Sequence, residues 1–170
     1  MQLTKLEAAR RQLETAIELY FGHKDEVSTH TLVAAAYAII RDLNEHRGGG
    51  PMLKDLHVFL EPADAQEFRK YVNRPDNFLK HADKDPNDVG ELNPLWTDAL
   101  LWDAGRKYCE LVGELNKPMV AFVVWFVAHY PELKRPYANI LAEQGISDAV
   151  LTWISRIPQS ERHRFFGLLS

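Results

Sequence analysis

Ten consecutive residues, Met119 to Ala128, are all apolar, and this run constrains the fold more than any other feature of the chain. A helix that crosses a bilayer needs roughly 20 apolar residues, so the run is about half of what a span requires. Coiled as a helix, it is apolar on every side and has to be surrounded by other elements. Its valines would also suit a buried strand. A strand needs a partner, however, and no second strand candidate occurs in the sequence. The run therefore predicts a central core helix, and with it an all-α protein.

The flanking segments supply the helices to surround it. Leu3, Leu6, Leu13, Ile17, Tyr20 and Phe21 recur at three- and four-residue spacing, the pattern of an amphipathic helix. Thr4 and Glu7 have capping-box spacing at its start, and Gly22 is placed to end it in a left-handed conformation. A second helix is expected from about Ser28 to His46, with Leu32, Val33, Ala36, Ile39, Ile40 and Leu43 inward. Gly48-Gly49-Gly50-Pro51 ends it. A short helix around Leu53 to Leu60 follows, then one opened by Pro62 with Phe68, Tyr71 and Val72 inward.

Pro75 predicts a break at Asn73-Arg74 and a new short helix to Ala82, followed by a loop from Asp83 to Gly90. Asn93-Pro94 starts a long helix to about Val112, with Leu95, Trp96, Leu100, Ala104 and Tyr108 on its buried side and Gly113 as its stop. After Pro131, short helices are expected over 137–144, 148–157 and 160–169, the middle one capped by Ser147. Phe165, Phe166, Leu168 and Leu169 are available to pack on the bundle or on a second subunit. With no repeat and no low-complexity linker, residues 1–170 read as a single domain, an irregular helical bundle of about seven to nine helices.

Charge and cysteine content narrow the function classes. A net charge of -4 argues against a protein that coats nucleic acid non-specifically, while leaving room for a local basic patch. Cys109 is the sole cysteine, so neither an internal disulfide nor a thiolate-rich metal site can form. Its helical neighbours Tyr108 and Leu111 make it a buried, inert thiol. The first residues lack the apolar core of a secretion signal, and a cytoplasmic protein is expected.

Polar chemistry concentrates in Asn73 to Pro86, where a guanidinium, two amides, two lysines, an imidazole and three carboxylates share fourteen residues. On a helix from Pro75 to Ala82, Arg74, Asn77 and His81 fall close to one line. Arg69, Lys70, Lys80 and Lys84 make the neighbourhood basic. Arginine binds phosphate through paired hydrogen bonds, and histidine titrates near neutrality, so it can exchange a proton with a ribose hydroxyl or a leaving oxygen. The expected ligand contacts are thus Asn77, Lys80 and Lys84, with Arg74 and His81 as the pair that could act on RNA without a metal or other cofactor.

Arg74, six intervening residues and His81 resemble the Arg-x4-6-His signature of the HEPN superfamily. The resemblance implies a helical bundle, often a homodimer, that binds nucleotides or cleaves RNA with its arginine and histidine at the dimer interface. The family usually carries Asn, Asp or His directly after the arginine; here Pro75 stands there, and the amides lie at Asn73 and Asn77. Three further stretches, Ser28-Thr29-His30-Thr31-Leu32, Gly49 to Asp55 and Asn77 to Pro86, are similar to uncharacterised bacterial proteins of about this length.

Other readings stand beside this one. Arg74 and His81 can be structural, since a histidine near a helix C-terminus meets the helix dipole favourably. His30, His46, His57, His81, Asp83 and Asp85 could converge on a metal, though the Glu-x-x-His pairing of helical metal sites is missing, and His30 reads better as a cap or a packed histidine. The four tryptophans sit at core-like helical positions. A non-enzymatic module that dimerises or binds a partner through the C-terminal segment is the alternative function, and no membrane partner is expected.

Overall fold

The computed structural model of the chain describes residues 2–81, 83 and 86–167. Helices α1 (Lys5–Phe21), α2 (Glu26–His46), α3 (Pro62–Lys80), α4 (Pro94–Val112) and α5 (Lys117–His129) form the body, followed by the short α6 (Ala138–Glu143), α7 (Asp148–Ile154) and α8 (Arg162–Gly167). A 3₁₀ segment, Leu53–Phe59, links α2 to α3. Among the described residues there is no β-strand, and no helix is long and apolar enough to cross a membrane.

α5 occupies the centre, as its composition demands. Met119 and every residue from Ala121 to Ala128 are buried, each large side chain contributing about 1.5–3 kcal/mol by leaving water. α1, α4 and α7 pack around it. The rings of Phe21 and Phe165 lie 6.1 and 5.3 Å from Trp125, and Tyr20 meets Phe122 edge-on at 5.4 Å. At the C-terminus of α5, the ring nitrogens of His129 lie 2.9 and 3.0 Å from the carbonyl oxygens of Trp125 and Ile157, tying the helix to the turn after α7. His129, for which the sequence suggests no partner, is therefore a helix-end clasp.

The α1–α2 hairpin is the most extensive helix pair. Thr4 Oγ1 accepts the Glu7 N–H at 3.1 Å, and Asp25, three residues ahead of the expected start of α2, caps it by accepting the Ser28 N–H at 2.7 Å. The left-handed residue between the two helices is His23 (φ 48°), not Gly22 (φ −73°). After α2 the chain turns so closely that a β-carbon on Gly49 would lie 2.0 Å from Asn44 Oδ1. Asn44 is buried and donates to the Gly50 carbonyl at 2.8 Å, so glycine is required at 49.

α3 runs unbroken through Pro75. The expected break does not occur because tertiary anchors lie on both sides of the proline: Val72 is buried before it and Asp76 is held by ionic contacts after it. Asn73 Nδ2 also donates to the Arg69 carbonyl at 2.9 Å, in the turn ahead of the one the proline weakens. Tyr71 is exposed rather than inward, as are Leu95 on α4 and Trp153 on α7. Phe165 is buried and Phe166 stacks on Phe21 at 4.7 Å, so these two rings pack on the bundle. Leu168 and Leu169 lie outside the described residues.

Between α1, α4 and α8, the Arg162 guanidinium lies 3.9 Å from the centre of the Tyr20 ring and donates to the Tyr20 carbonyl. Burial pushes the nearby Asp98 carboxyl up to about 6, although Arg162 works in the opposite direction. A carboxyl whose folded value exceeds its unfolded value costs stability as pH rises from about 4 through 6. Asp98→Asn is expected to raise the melting temperature at pH 8, by ~2 kcal/mol of stability, with the gain gone at pH 4. Gly49→Ala should cost about 1–3 kcal/mol in a denaturant melt by displacing the Asn44 amide.

Candidate functional site

Three helices of this bundle each place a polar residue beside apolar inward neighbours at one level of the bundle. On α2 it is His30, beside Val33, Ala34 and Tyr37; on α4 it is Thr97, beside Leu100, Leu101 and Ala104; on α3 it is Asp76, one turn from Val72. The fold brings the three together. His30, 0% exposed, places Nδ1 2.9 Å from Thr97 Oγ1 and Nε2 3.3 Å from Asp76 Oδ1. A carboxylate only accepts, so Nε2 carries the hydrogen of that contact, and the threonine hydroxyl can either donate to Nδ1 or accept from it.

The other carboxylate oxygen is held by cations. Lys54 Nζ, on a side chain only 6% exposed, donates to Asp76 Oδ2 at 2.8 Å, and Lys80 Nζ approaches the same oxygen at 3.7 Å. Burial alone would raise the Asp76 carboxyl. The hydrogen bonds from His30 and Lys54, with the charges of Lys54 and Lys80, outweigh it and hold the group down at about 2. Burial lowers Lys54 from the ordinary lysine range, and Asp76 opposes that shift.

Lys54 reaches this position because its 3₁₀ segment is fixed from below. Tyr37 Oη donates to Asp103 Oδ2 at 2.9 Å and accepts the Lys54 N–H at 3.0 Å, while the Leu53 N–H donates to the same Asp103 oxygen at 2.7 Å. Arg41 Nε donates to Asp55 Oδ1 at 2.7 Å, and Asp55 Oδ2 accepts the Met52 N–H. The Ser28–Leu32 and Gly49–Asp55 stretches, remote in sequence, therefore meet at Asp76 through His30 and Lys54.

In front of this buried cluster, α3 and residues 89–96 enclose a cleft of about 710 Å³. Tyr71, Phe78 and Trp96 give it aromatic walls, Pro75 and Pro94 border it, and Arg74 and Glu91 are its charged residues. The Phe78 ring lies flat over Gly90, where an added β-carbon would meet it at 2.8 Å. Trp96 and Tyr71 are in edge contact at 6.4 Å, and the Trp96 indole N–H has no acceptor among the described residues. Three cations of α3, Arg69, Lys70 and Arg74, are exposed and take part in no ion pair among the described residues.

The expected site residues separate in space. Arg74 lines the cleft; Asn77, Lys80 and His81 do not. Arg74 and Asn77 share the outer face of α3, whereas His81 leaves the helical path at the C-cap with extended backbone (φ −132°, ψ 124°). No hydrogen bond joins the side chains of Arg74, Asn77 and His81 among the described residues. Lys80 has Asp76 as its partner, and Lys84 lies outside the described residues. No group of three metal-ligating side chains gathers among the described residues.

Asp76, Lys54, Thr97 and Trp96 are the contributors that sequence reasoning passed over. Asp76 and Thr97 carry a legible signal, a polar group on an inward helical stripe; Lys54 carries none, because its partner lies on another element.

Together these features define an all-α protein with an aromatic cleft, bordered by one cation and one carboxylate, set beside a buried ion cluster. Compared with known proteins, the chain matches no family model, no curated protein and no solved structure.

Removing the Asp76 carboxylate leaves Lys54 buried without its counter-ion. Asp76→Ala is expected to cost about 3–5 kcal/mol at neutral pH. Because the carboxyl is depressed, its contribution is complete above about pH 4 and lost as pH falls toward 2. The difference between wild type and variant in urea melts should shrink across that window.

Proposed function

We propose that this protein binds a phosphate-bearing ligand with a flat ring, a nucleotide or a stretch of RNA, in the cleft between α3 and residues 89–96. The observation that carries the reading is Arg74 at an aromatic-lined cleft, with Arg69 and Lys70 exposed on the same helix and in no ion pair among the described residues. Bases stack on aromatic faces with little sequence preference, while arginine forks onto phosphate oxygens. A cleft of this volume lies within the ordinary range for small-ligand sites.

Within this reading, Arg74 binds and neutralises the phosphate. The HEPN-like resemblance adds a chemical step, metal-independent cleavage of RNA, in which His81 exchanges the proton of the ribose hydroxyl or the leaving oxygen. Binding rests on the cleft. Cleavage rests on the Arg74–His81 spacing and requires His81, at the end of α3, to reach a ribose held there.

A second reading is favoured by a separate observation. Val58, Phe59 and Leu60 are three consecutive exposed apolar residues, with Phe59 72% exposed, beside a helix whose Tyr71 is 69% exposed. Such a run suits a non-enzymatic interaction or dimerisation module. That surface lies ahead of α3 and not in the C-terminal segment, where Phe165 is in the core.

Titration with adenosine monophosphate and with a short unstructured RNA, in chelator and at low salt, separates the readings. Arg74→Ala is expected to weaken binding ~10- to 100-fold, the worth of a hydrogen-bonded charge. His81→Ala should leave affinity unchanged and remove any cleavage. Failure of the wild-type protein to bind either ligand at millimolar concentration would sink the ligand reading. Loss of self-association in a Phe59→Glu variant, seen by sedimentation, would support the second.

A further inference from the structure

α3 forms one whole wall of the cleft, yet it is the long helix least embedded in the core. Of its 19 residues only Ala65 and Val72 are buried, both small, whereas α2 and α4 each bury eight and α5 nine of its 13. What fastens the C-terminal half of α3 to the bundle is chiefly Asp76, through His30 of α2, Lys54 of the 3₁₀ segment and, behind His30, Thr97 of α4. Lys80, on α3 itself, is the remaining charged group in contact with it.

We propose that Asp76 is a latch, and that α3 detaches from the 3₁₀ segment and α2, the elements it packs on, opening the cleft while the rest of the bundle stays folded. Elements with few buried apolar contacts open at lower free energy than the core. Here the tie is specific. One carboxylate bridges an imidazole and an ammonium that are themselves fixed in the bundle, so breaking it frees α3 without disturbing α1, α5 or the Tyr37–Asp103 support under Lys54. The detached helix carries Tyr71, Arg74 and Phe78 with it, so the state of the latch decides whether the cleft exists. This device governs the same cleft as the proposed function, but it can be measured with no ligand present.

The test is native-state hydrogen exchange on the full chain at neutral pH, read by peptide mass spectrometry. Amides of residues 63–80 are expected to exchange ~100-fold faster than those of α2 and α5. Asp76→Asn, nearly isosteric and without the charge, should speed exchange of α3 ~10-fold or more and that of the slowest amides of α1 and α5, which open only with the whole bundle, by no more than the same factor, so that α3 still exchanges well ahead of them. Asp76→Ala should do the same more strongly if it folds; the asparagine variant decides the matter if it does not. Equal protection of α3 and α2 in the wild type would overturn the proposal. So would an Asp76→Asn variant in which α3 is unchanged, or in which α3 no longer exchanges ahead of α1 and α5. Addition of adenosine monophosphate distinguishes this from the ligand reading: if the cleft takes no ligand, α3 exchange is unaffected by it, and the latch result stands or falls by itself.

Discussion

A helix with no polar face has to be covered on every side, and the arrangement of the bundle follows from that requirement on α5. α1 and its partner α2 lie on one side, α4 on another, and the short α7 and α8 close the remainder. Aromatic rings fill the gaps between elements because the large, flat side chains of Tyr20, Phe21, Phe122, Trp125 and Phe165 sit where the helices diverge. The short C-terminal helices are thus part of the core and not an appendage. Removing them would expose the Trp125 side of α5 to water.

α3 obeys a different rule. It contributes little apolar surface, and its place is decided by electrostatics at low dielectric, where a paired carboxylate and ammonium are strongly coupled and an unpaired one is costly. The same buried charge that would be a liability elsewhere fixes the register of α3 against α2 and α4. It thereby sets the spacing of Tyr71, Phe78 and Trp96 across the cleft. The Tyr37–Asp103 hydrogen bonds extend this polar layer under the 3₁₀ segment, so that the segment's backbone N–H groups at Leu53 and Lys54 are satisfied despite its burial at that point.

Much of the fold was legible in the sequence because it depends on local signals. Thr4, Asn93 and Ser147 cap helices as their side chains suggest, and Gly113 ends α4 in the left-handed conformation (φ 91°). Pro75 misled because the cost of a proline inside a helix is local while the contacts that offset it, at Val72 and Asp76, are not. Of the candidate site, Arg74 lines a cleft, but a line of Arg74, Asn77 and His81 requires a helix continuing to Ala82. That helix ends at Lys80, so His81 points along a different path. Asp76 lies inside the same polar stretch; its inward position is legible there, but its partners, 46 and 22 positions earlier, are not.

The sequence by itself determined that the chain is helical, where most helices begin and end, and that Met119–Ala128 lies at the centre. These are matters of backbone propensity, capping and the need to remove apolar surface from water, and each is settled within a few residues. Tertiary structure alone decided that His30, Lys54, Asp76 and Thr97 share one buried cluster, and that α3 stands off far enough to leave an aromatic cleft. The energy of a buried ion pair depends on the distance between groups on different elements, and no local pattern encodes that distance.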